Sequence, residues 1–140
     1  MKAESEIVRD FIKEHQIAVI STVTSDFLPV SAVVGIFAND KMELFFGTFN
    51  TSRKFVNIEK NPRVSFVIGW DKGKTVQYEG EAKKLSGKAE EEFKKAHLAK
   101  MSTAAKYVSA SEAVFFKVTP TWIRYTDVSK DPWDIIEIGI

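Results

Sequence analysis

The stretch "FFGTFNTSRKFVNIEKNP", residues 45–62, joins an apolar strand-like run to a short amphipathic segment. Hydroxyl and basic residues, Thr51-Ser52-Arg53-Lys54, stand where that segment begins, and Asn61-Pro62 stands where it ends. Hydroxyl residues cap helix N-termini, and a proline commonly follows a helix end. We therefore predict a helix over residues 52–60 that is capped by Thr51 or Ser52.

Two cations in the first turn of this predicted helix need an explanation. A helix N-terminus carries unpaired N–H groups and a partial positive charge, so acidic residues are normally favoured there. Arg53 and Lys54 are repelled by that charge unless an anion lies between them and the N–H groups. The pattern thus indicates a phosphate site, although a solvent-exposed capping turn with two surface cations explains the spacing at least equally well.

Short β-type segments separated by turn residues make up most of the remaining chain. We predict helices over 3–15 and 87–106 in addition to the one at 52–60, and the tail 129–140 stays unassigned. Several short strands with short turns are typical of a β-barrel, so we predict a mainly β, closed barrel with flanking helices. The predicted strands are 17–24, 28–38, 42–48, 63–70, 75–84, 112–118 and 121–127, the last two separated by Pro120.

The third predicted strand is apolar on both faces. Leu44 and Phe46 lie on one face, and Phe45 and Gly47 lie on the other. One face can fill the barrel, while the other needs a second cover because exposed apolar surface is unfavourable. A partner subunit is the simplest cover for a small chain, so we expect a homodimer.

Composition excludes several classes of protein. A chain of 140 residues suits one domain, residues 1–140. The formal net charge of +1 gives no global attraction to nucleic acid or to an anionic membrane. There is no cysteine, which fits a reducing compartment, and the acidic residues and missing apolar run at residues 1–6 lead us to expect no signal peptide. We expect a cytoplasmic protein with neither a membrane span nor a metal site.

The motifs "SRKFVNIEKNPRVSFVIGW" and "VQYEGEAKKLS" resemble the pyridoxamine 5′-phosphate oxidase-like family of FMN-binding split barrels. The resemblance covers roughly residues 5 to 127, and it is strongest in three ordered blocks, 52–54, 61–65 and 79–82. It implies a six-stranded antiparallel split β-barrel with flanking α-helices. It also implies a homodimer with two flavin sites at the interface.

The resemblance assigns roles to individual residues. Arg53 and Lys54 match the pair that holds the FMN phosphate, and Ser52, beside Thr51, matches a position where a hydroxyl or backbone N–H assists. Other positions match contacts along or beneath the flavin ring. Of these, Thr75 and Gln77 equally suit the polar face of a half-exposed strand. Tyr125 corresponds to an aromatic residue that meets the cofactor from the other subunit. These further positions are Gly47, Thr48, Val33, Val34, Thr75, Gln77 and Tyr125.

The sequence departs from the named oxidases in two places. A basic strand segment is replaced by residues 32–37, and the substrate-binding Arg and His of the tail are absent from residues 130–136. These departures disfavour a vitamin B6 substrate and resemble the short, general-stress-like branch of the family.

The resemblance therefore implies an FMN-dependent oxidoreductase with an unknown small-molecule substrate. The alternatives are a non-enzymatic flavin-binding or electron-carrier protein, and a split barrel that binds a deazaflavin or haem. Haem is disfavoured because His15 and His97 are the only histidines available as axial ligands.

Overall fold

The computed structural model describes residues 1–100 and 112–140, and for residues 97–100 it describes the backbone alone. Eight strands are present in this part of the chain: β1 Ile17–Val23, β2 Pro29–Gly35, β3 Phe37–Ala38, β4 Leu44–Phe49, β5 Arg63–Ile68, β6 Lys74–Lys84, β7 Ala113–Asp127 and β8 Asp134–Gly139. They form one antiparallel sheet in the order β2-β1-β5-β6-β7-β4-β3, with β8 paired to β7. The six longer strands of that path build the barrel.

The sheet curls into a barrel that stays open between β2 and β4. β2 ends the strand order, and β3 pairs only with Leu44 and Phe45 of β4. Cα atoms of β2 and β4 approach to within 8 Å, but no ladder joins these two strands. The fold is therefore a split barrel, as the family resemblance implies, and the closed barrel predicted from the short strands is wrong.

The described helices flank this barrel: α1 Glu4–Lys13, α2 Arg53–Lys60 and α3 Gly87–Lys100. α1 buries Val8 and Ile12, which are four residues apart and so lie on one helix face. Gly69 makes room for α1, because a Cβ there would lie 2.6 Å from Cζ of Phe11. Within the described ranges, no helix is long and apolar enough to cross a membrane.

The predicted strands 112–118 and 121–127 form one continuous strand, β7, so the predicted break at Pro120 is wrong. Gly80 of β6 pairs with Pro120, whereas Glu79 pairs with Trp122, so Thr121 is an extra residue on β7. Such a β-bulge tolerates a proline, because the N–H group that proline lacks falls where the hydrogen-bond ladder between β6 and β7 is irregular.

Two other predicted segments change in the structure. The predicted strand 28–38 is divided at Ile36, whose backbone N–H donates to the carbonyl of Gln16 instead of continuing a ladder. The unassigned tail contains β8, which pairs with the second half of β7. The predicted helix 87–106 is confirmed as far as Lys100, and its remainder lies outside the described residues.

The second apolar face of β4 is covered by the chain itself. The ring of Phe93 in α3 stacks on Phe45 with centroids 5.7 Å apart, and Phe115 and Leu85 complete this small cluster. Phe45 is therefore partly covered without a partner subunit, and the homodimer stays a prediction. Any evidence for a dimer has to come from another surface.

The bulge between β6 and β7 gives a test of the fold. A Cβ at Gly80 would lie 2.5 Å from the Thr119 carbonyl oxygen, so we expect Gly80→Ala to lower the free energy of unfolding by roughly 1–3 kcal/mol. Urea denaturation measures the loss. Gly139→Ala is the matched control, because a Cβ there meets nothing within 4 Å. Equal effects of the two substitutions would contradict the close approach at Gly80.

Candidate functional site

The first turn of α2 is built by hydroxyl groups at the end of β4. The Oγ of Ser52 accepts a hydrogen bond from the Phe55 backbone N–H at 3.1 Å, so Ser52, and not Thr51, is the N-cap. Thr48 is buried, and its Oγ1 donates to the Ser52 Oγ at 2.9 Å. The start of α2 is thus fixed to the end of β4, and the first turn of α2 contains no acidic residue.

Arg53 and Lys54 lie beside a pocket between the start of α2 and strands β1 and β2. The pocket has a volume of about 260 Å³. Neither side chain forms an ion pair with any residue that the structure describes. The other lining residues come from β1 and β2: Ile20, Thr22, Val30, Ser31 and Ala32. Unpaired cations, helix N–H groups and a concave wall together form a suitable anion site.

The backbone edges next to this pocket also lack partners. One edge of β2 has no paired strand within the described chain, and the edge of β4 beyond Phe45 has none either. The predicted residues Val33 and Val34 lie on the first edge, and Gly47 and Thr48 lie on the second. The side chain of Val34 belongs to the core, whereas Val33 is 64% exposed on the outer face of the sheet. Backbone groups of these residues, more than their side chains, are available to a ligand.

Thr22 and Asn57 are members of the site that our sequence analysis did not identify. The Nδ2 of buried Asn57 donates to the Thr22 Oγ1 at 3.0 Å, which ties α2 to β1. A signal for Thr22 exists, because it is the polar member of an inward alternation that includes Ala18 and Ile20. Asn57 gave no such signal, since a polar residue on a short amphipathic helix is normally exposed.

Three predicted site residues lie away from the pocket. Thr75 and Gln77 are on the outer face of β6, opposite Thr126 and Arg124 of β7. Tyr125 points into the core, where its ring meets Phe11 edge-on with centroids 5.4 Å apart. Burial raises the pKa of the Tyr125 phenol, which keeps it protonated. A single chain therefore brings together the predicted phosphate residues but not these three.

Other cavities of the described structure fit an anion less well. A larger groove of about 560 Å³ on the outer face of the sheet contains Arg63, but Glu79 and Glu81 give it a net negative charge. An apolar pocket of about 390 Å³ beneath α3 has Lys117 at its margin, 3.7 Å from Glu43. Charge therefore favours the smaller pocket at Arg53 and Lys54 as the phosphate site.

A family model matches most of the chain. The model of pyridoxamine 5′-phosphate oxidase matches residues 5–127. The chain belongs to the pyridoxamine 5′-phosphate oxidase family. The matched region contains the whole barrel from α1 to β7, including the pocket and both open strand edges. No curated protein sequence matches the chain.

Solved structures show how widely this family fold is used. The chain is similar to General Stress Protein 26 of Bacillus anthracis, with 24% identity, coverage of 96% of this chain and 98% of that one, and a TM-score of 0.75. A pyridoxamine 5′-phosphate oxidase-related, FMN binding protein of Nostoc punctiforme gives 14% identity, 89% and 86% coverage, and a TM-score of 0.66.

A heme binding protein of Mycobacterium smegmatis is also similar. It shares 15% identity and a TM-score of 0.84, and the match covers 99% of this chain but only 59% of that protein. Identities this low establish a common fold within the family and leave the ligand to be argued from the site.

The helix cap gives a test of how the site is held. We expect Ser52→Ala to lower the free energy of unfolding by about 1 kcal/mol or more, because it removes the N-cap acceptor and leaves the buried Thr48 hydroxyl without its partner. Thermal or urea unfolding measures this loss. Thr51→Ala is the control, since Thr51 is exposed, and it should change stability by less than about 0.5 kcal/mol. A larger effect at Thr51 would place the cap there instead.

Proposed function

We propose that the chain is an FMN-dependent oxidoreductase of the cytoplasm that acts on a small-molecule substrate. The observation that carries this proposal is the pair Arg53 and Lys54, unpaired among the described residues and placed at a capped helix N-terminus beside a pocket. A phosphate monoester carries about −1.5 to −2 charges at neutral pH, which matches two cations. The cysteine-free composition supports a reducing compartment.

Binding energy indicates that more than a phosphate must be held. A charge-assisted hydrogen bond contributes about 1.5–3 kcal/mol, while micromolar binding needs about 8 kcal/mol in addition to the several kcal/mol that association costs. The phosphate contacts therefore do not suffice. The open edges of β2 and β4 supply the second part, because their unpaired N–H and C=O groups can meet the polar rim of a flat ring.

In this proposal the protein's own residues bind and orient. Arg53 and Lys54 would hold the phosphate end, the Ser52–Thr48 pair holds the helix start in place, and the open backbone edge of β2, which includes Val33, would contact the ring. When bound, the flavin supplies hydride or electron transfer, so the chain needs no nucleophile or acid–base pair of its own.

A non-enzymatic flavin-binding or electron-carrier protein is the second candidate. The observation that favours it is the lack of a second cation pair at this pocket, where a phosphorylated substrate would need one. A deazaflavin also carries phosphate and would use the same cations. Haem is less favoured, because the His15 Nδ1 lies 2.7 Å from the Phe11 carbonyl oxygen and its Nε2 packs against Gly69.

We further propose that two copies of the chain form a homodimer with the flavin sites at the interface. Val33 and Val67 are 64% and 40% exposed on the outer face of the sheet, and both are opposite Val19 of β1. An exposed apolar row that crosses neighbouring strands is typical of a covered surface. Gln77 pairs with Val67 in the same row, so such a dimer brings its amide to the interface.

The phosphate site predicts an effect on cofactor affinity. We expect Arg53→Ala to weaken FMN binding by about 10–150-fold, because it removes one charge-assisted contact worth about 1.5–3 kcal/mol. Fluorescence titration of the apoprotein with FMN measures the dissociation constant. Lys60→Ala is the control, since Lys60 lies in the last turn of the same helix. Unchanged affinity in Arg53→Ala would remove this residue from the site.

The redox part of the proposal is tested on the FMN-loaded protein. An oxidoreductase should show bleaching of the flavin absorption on addition of a reduced nicotinamide, followed by reoxidation when an acceptor is supplied. A protein that binds FMN tightly, but whose flavin neither oxidises nor reduces any added nicotinamide or small substrate, would favour the non-enzymatic flavin-binding or electron-carrier protein. A visible spectrum of freshly purified protein separates flavin, deazaflavin and haem.

The dimer predicts that one charge on the apolar row prevents association. We expect Val67→Lys to convert the dimer to a monomer, because an interface would bury the ammonium group without a partner. Light scattering coupled to size exclusion measures the mass. Val56→Lys is the matched control, since Val56 is 47% exposed but lies on α2, and that variant should remain dimeric. A monomeric wild-type protein would contradict the proposed dimer.

A further inference from the structure

We propose that Thr22 donates a hydrogen bond to the ligand's phosphate and that Asn57 orients the Thr22 hydroxyl for this contact. The inference rests on the proposed function, since it concerns the phosphate end of the same site. It adds a neutral donor from the barrel wall to the two cations of α2. The sequence analysis named neither residue as a ligand contact.

The hydrogen bonding of Thr22 carries the argument. Its side chain is 2% exposed and lines the pocket together with Arg53 and Lys54. The Oγ1 accepts the Asn57 Nδ2–H at 3.0 Å, and no acceptor for the hydroxyl hydrogen of Thr22 is present among the described residues. Buried polar groups are nearly always paired, and an unmade hydrogen bond costs about 1–3 kcal/mol. Thr22 borders both this pocket and the acidic groove that contains Glu79 and Glu81, and we place its free hydrogen in the pocket because the cations there would hold an anion.

The helix geometry links Asn57 to the same anion. Arg53 and Asn57 are four residues apart on α2, so they lie on one helix face. Because the Asn57 amide occupies one lone pair of the Thr22 oxygen, the hydroxyl hydrogen is left to point elsewhere. Asn57 is thus a positioning residue that acts through Thr22, while Thr22 touches the ligand.

A purely structural role for this pair is the competing explanation. The Asn57–Thr22 hydrogen bond joins α2 to β1, and that alone would make both residues important for folding. A structural role loosens α2, which carries Arg53 and Lys54, so Asn57→Ala and Thr22→Val, which both break the bond, would then weaken FMN binding equally. A direct contact makes the loss larger in Thr22→Val. A phosphate contact affects FMN and leaves riboflavin, which has the same ring without the phosphate, almost unchanged.

The experiment therefore measures the ratio of riboflavin to FMN dissociation constants in wild type, Thr22→Val and Thr22→Ser. We expect Thr22→Val to lower this ratio by about 10-fold, because a hydrogen bond to a charged group is lost. Thr22→Ser keeps the hydroxyl and should keep a ratio close to that of wild type. Thr22→Ala serves as a second hydroxyl-free variant if the valine variant does not fold.

Asn57→Ala tests the positioning role in two backgrounds. It should lower the ratio when Thr22 is present and have no further effect in the Thr22→Val protein. An equal effect in both backgrounds overturns the positioning by Asn57. If wild type prefers FMN strongly and Thr22→Val keeps the full preference, the Thr22 contact is overturned while the proposed function stands. If wild type binds FMN no better than riboflavin, the phosphate site and this inference are both overturned.

Discussion

The first turn of α2, whose two cations have no acidic partner among the described residues, is the feature on which the rest of the site depends. Two cations and free N–H groups meet there without an acid, and Ser52 and Thr48 lock the turn to the end of β4. Such a turn is electrostatically unfavourable by itself, since each cation is repelled by the helix dipole. The turn lies beside a pocket, and an anion bound there would make the arrangement of both cations at the helix N-terminus favourable.

The open barrel is the second constraint, and it follows from where the strands end. A fully closed barrel would satisfy every backbone edge and leave no place for a ligand between β2 and β4. Here β3 is two residues long and β2 ends the sheet, so two edges face a gap at which α2 begins. The same topology therefore brings together the gap, the cations and the buried Thr22–Asn57 pair.

The sequence predicted local structure well and packing partners poorly. Alternation and capping residues gave most strands and the start of α2, since these depend on near neighbours in the chain. Phe45 was correctly identified as needing a cover, but its spacing could not reveal that Phe93 of α3 provides one. Pro120 suggested a strand end because the bulge that accommodates it depends on β6. The same limit applies to Tyr125, whose inward direction depends on the register of β7.

Charge distribution, not net charge, distinguishes a single-phosphate ligand from a polyanion. The chain is almost neutral, and several of its cations are paired, for example Lys117 with Glu43 and Arg124 with Glu137. A nucleic-acid surface needs a row of unpaired cations along the phosphate backbone. Here the anion-binding features of the described structure converge on one corner, where Arg53 and Lys54 match the charge of one phosphate group. The remaining affinity would come from the apolar and backbone surfaces, as expected for the binding of a flat cofactor that carries one phosphate.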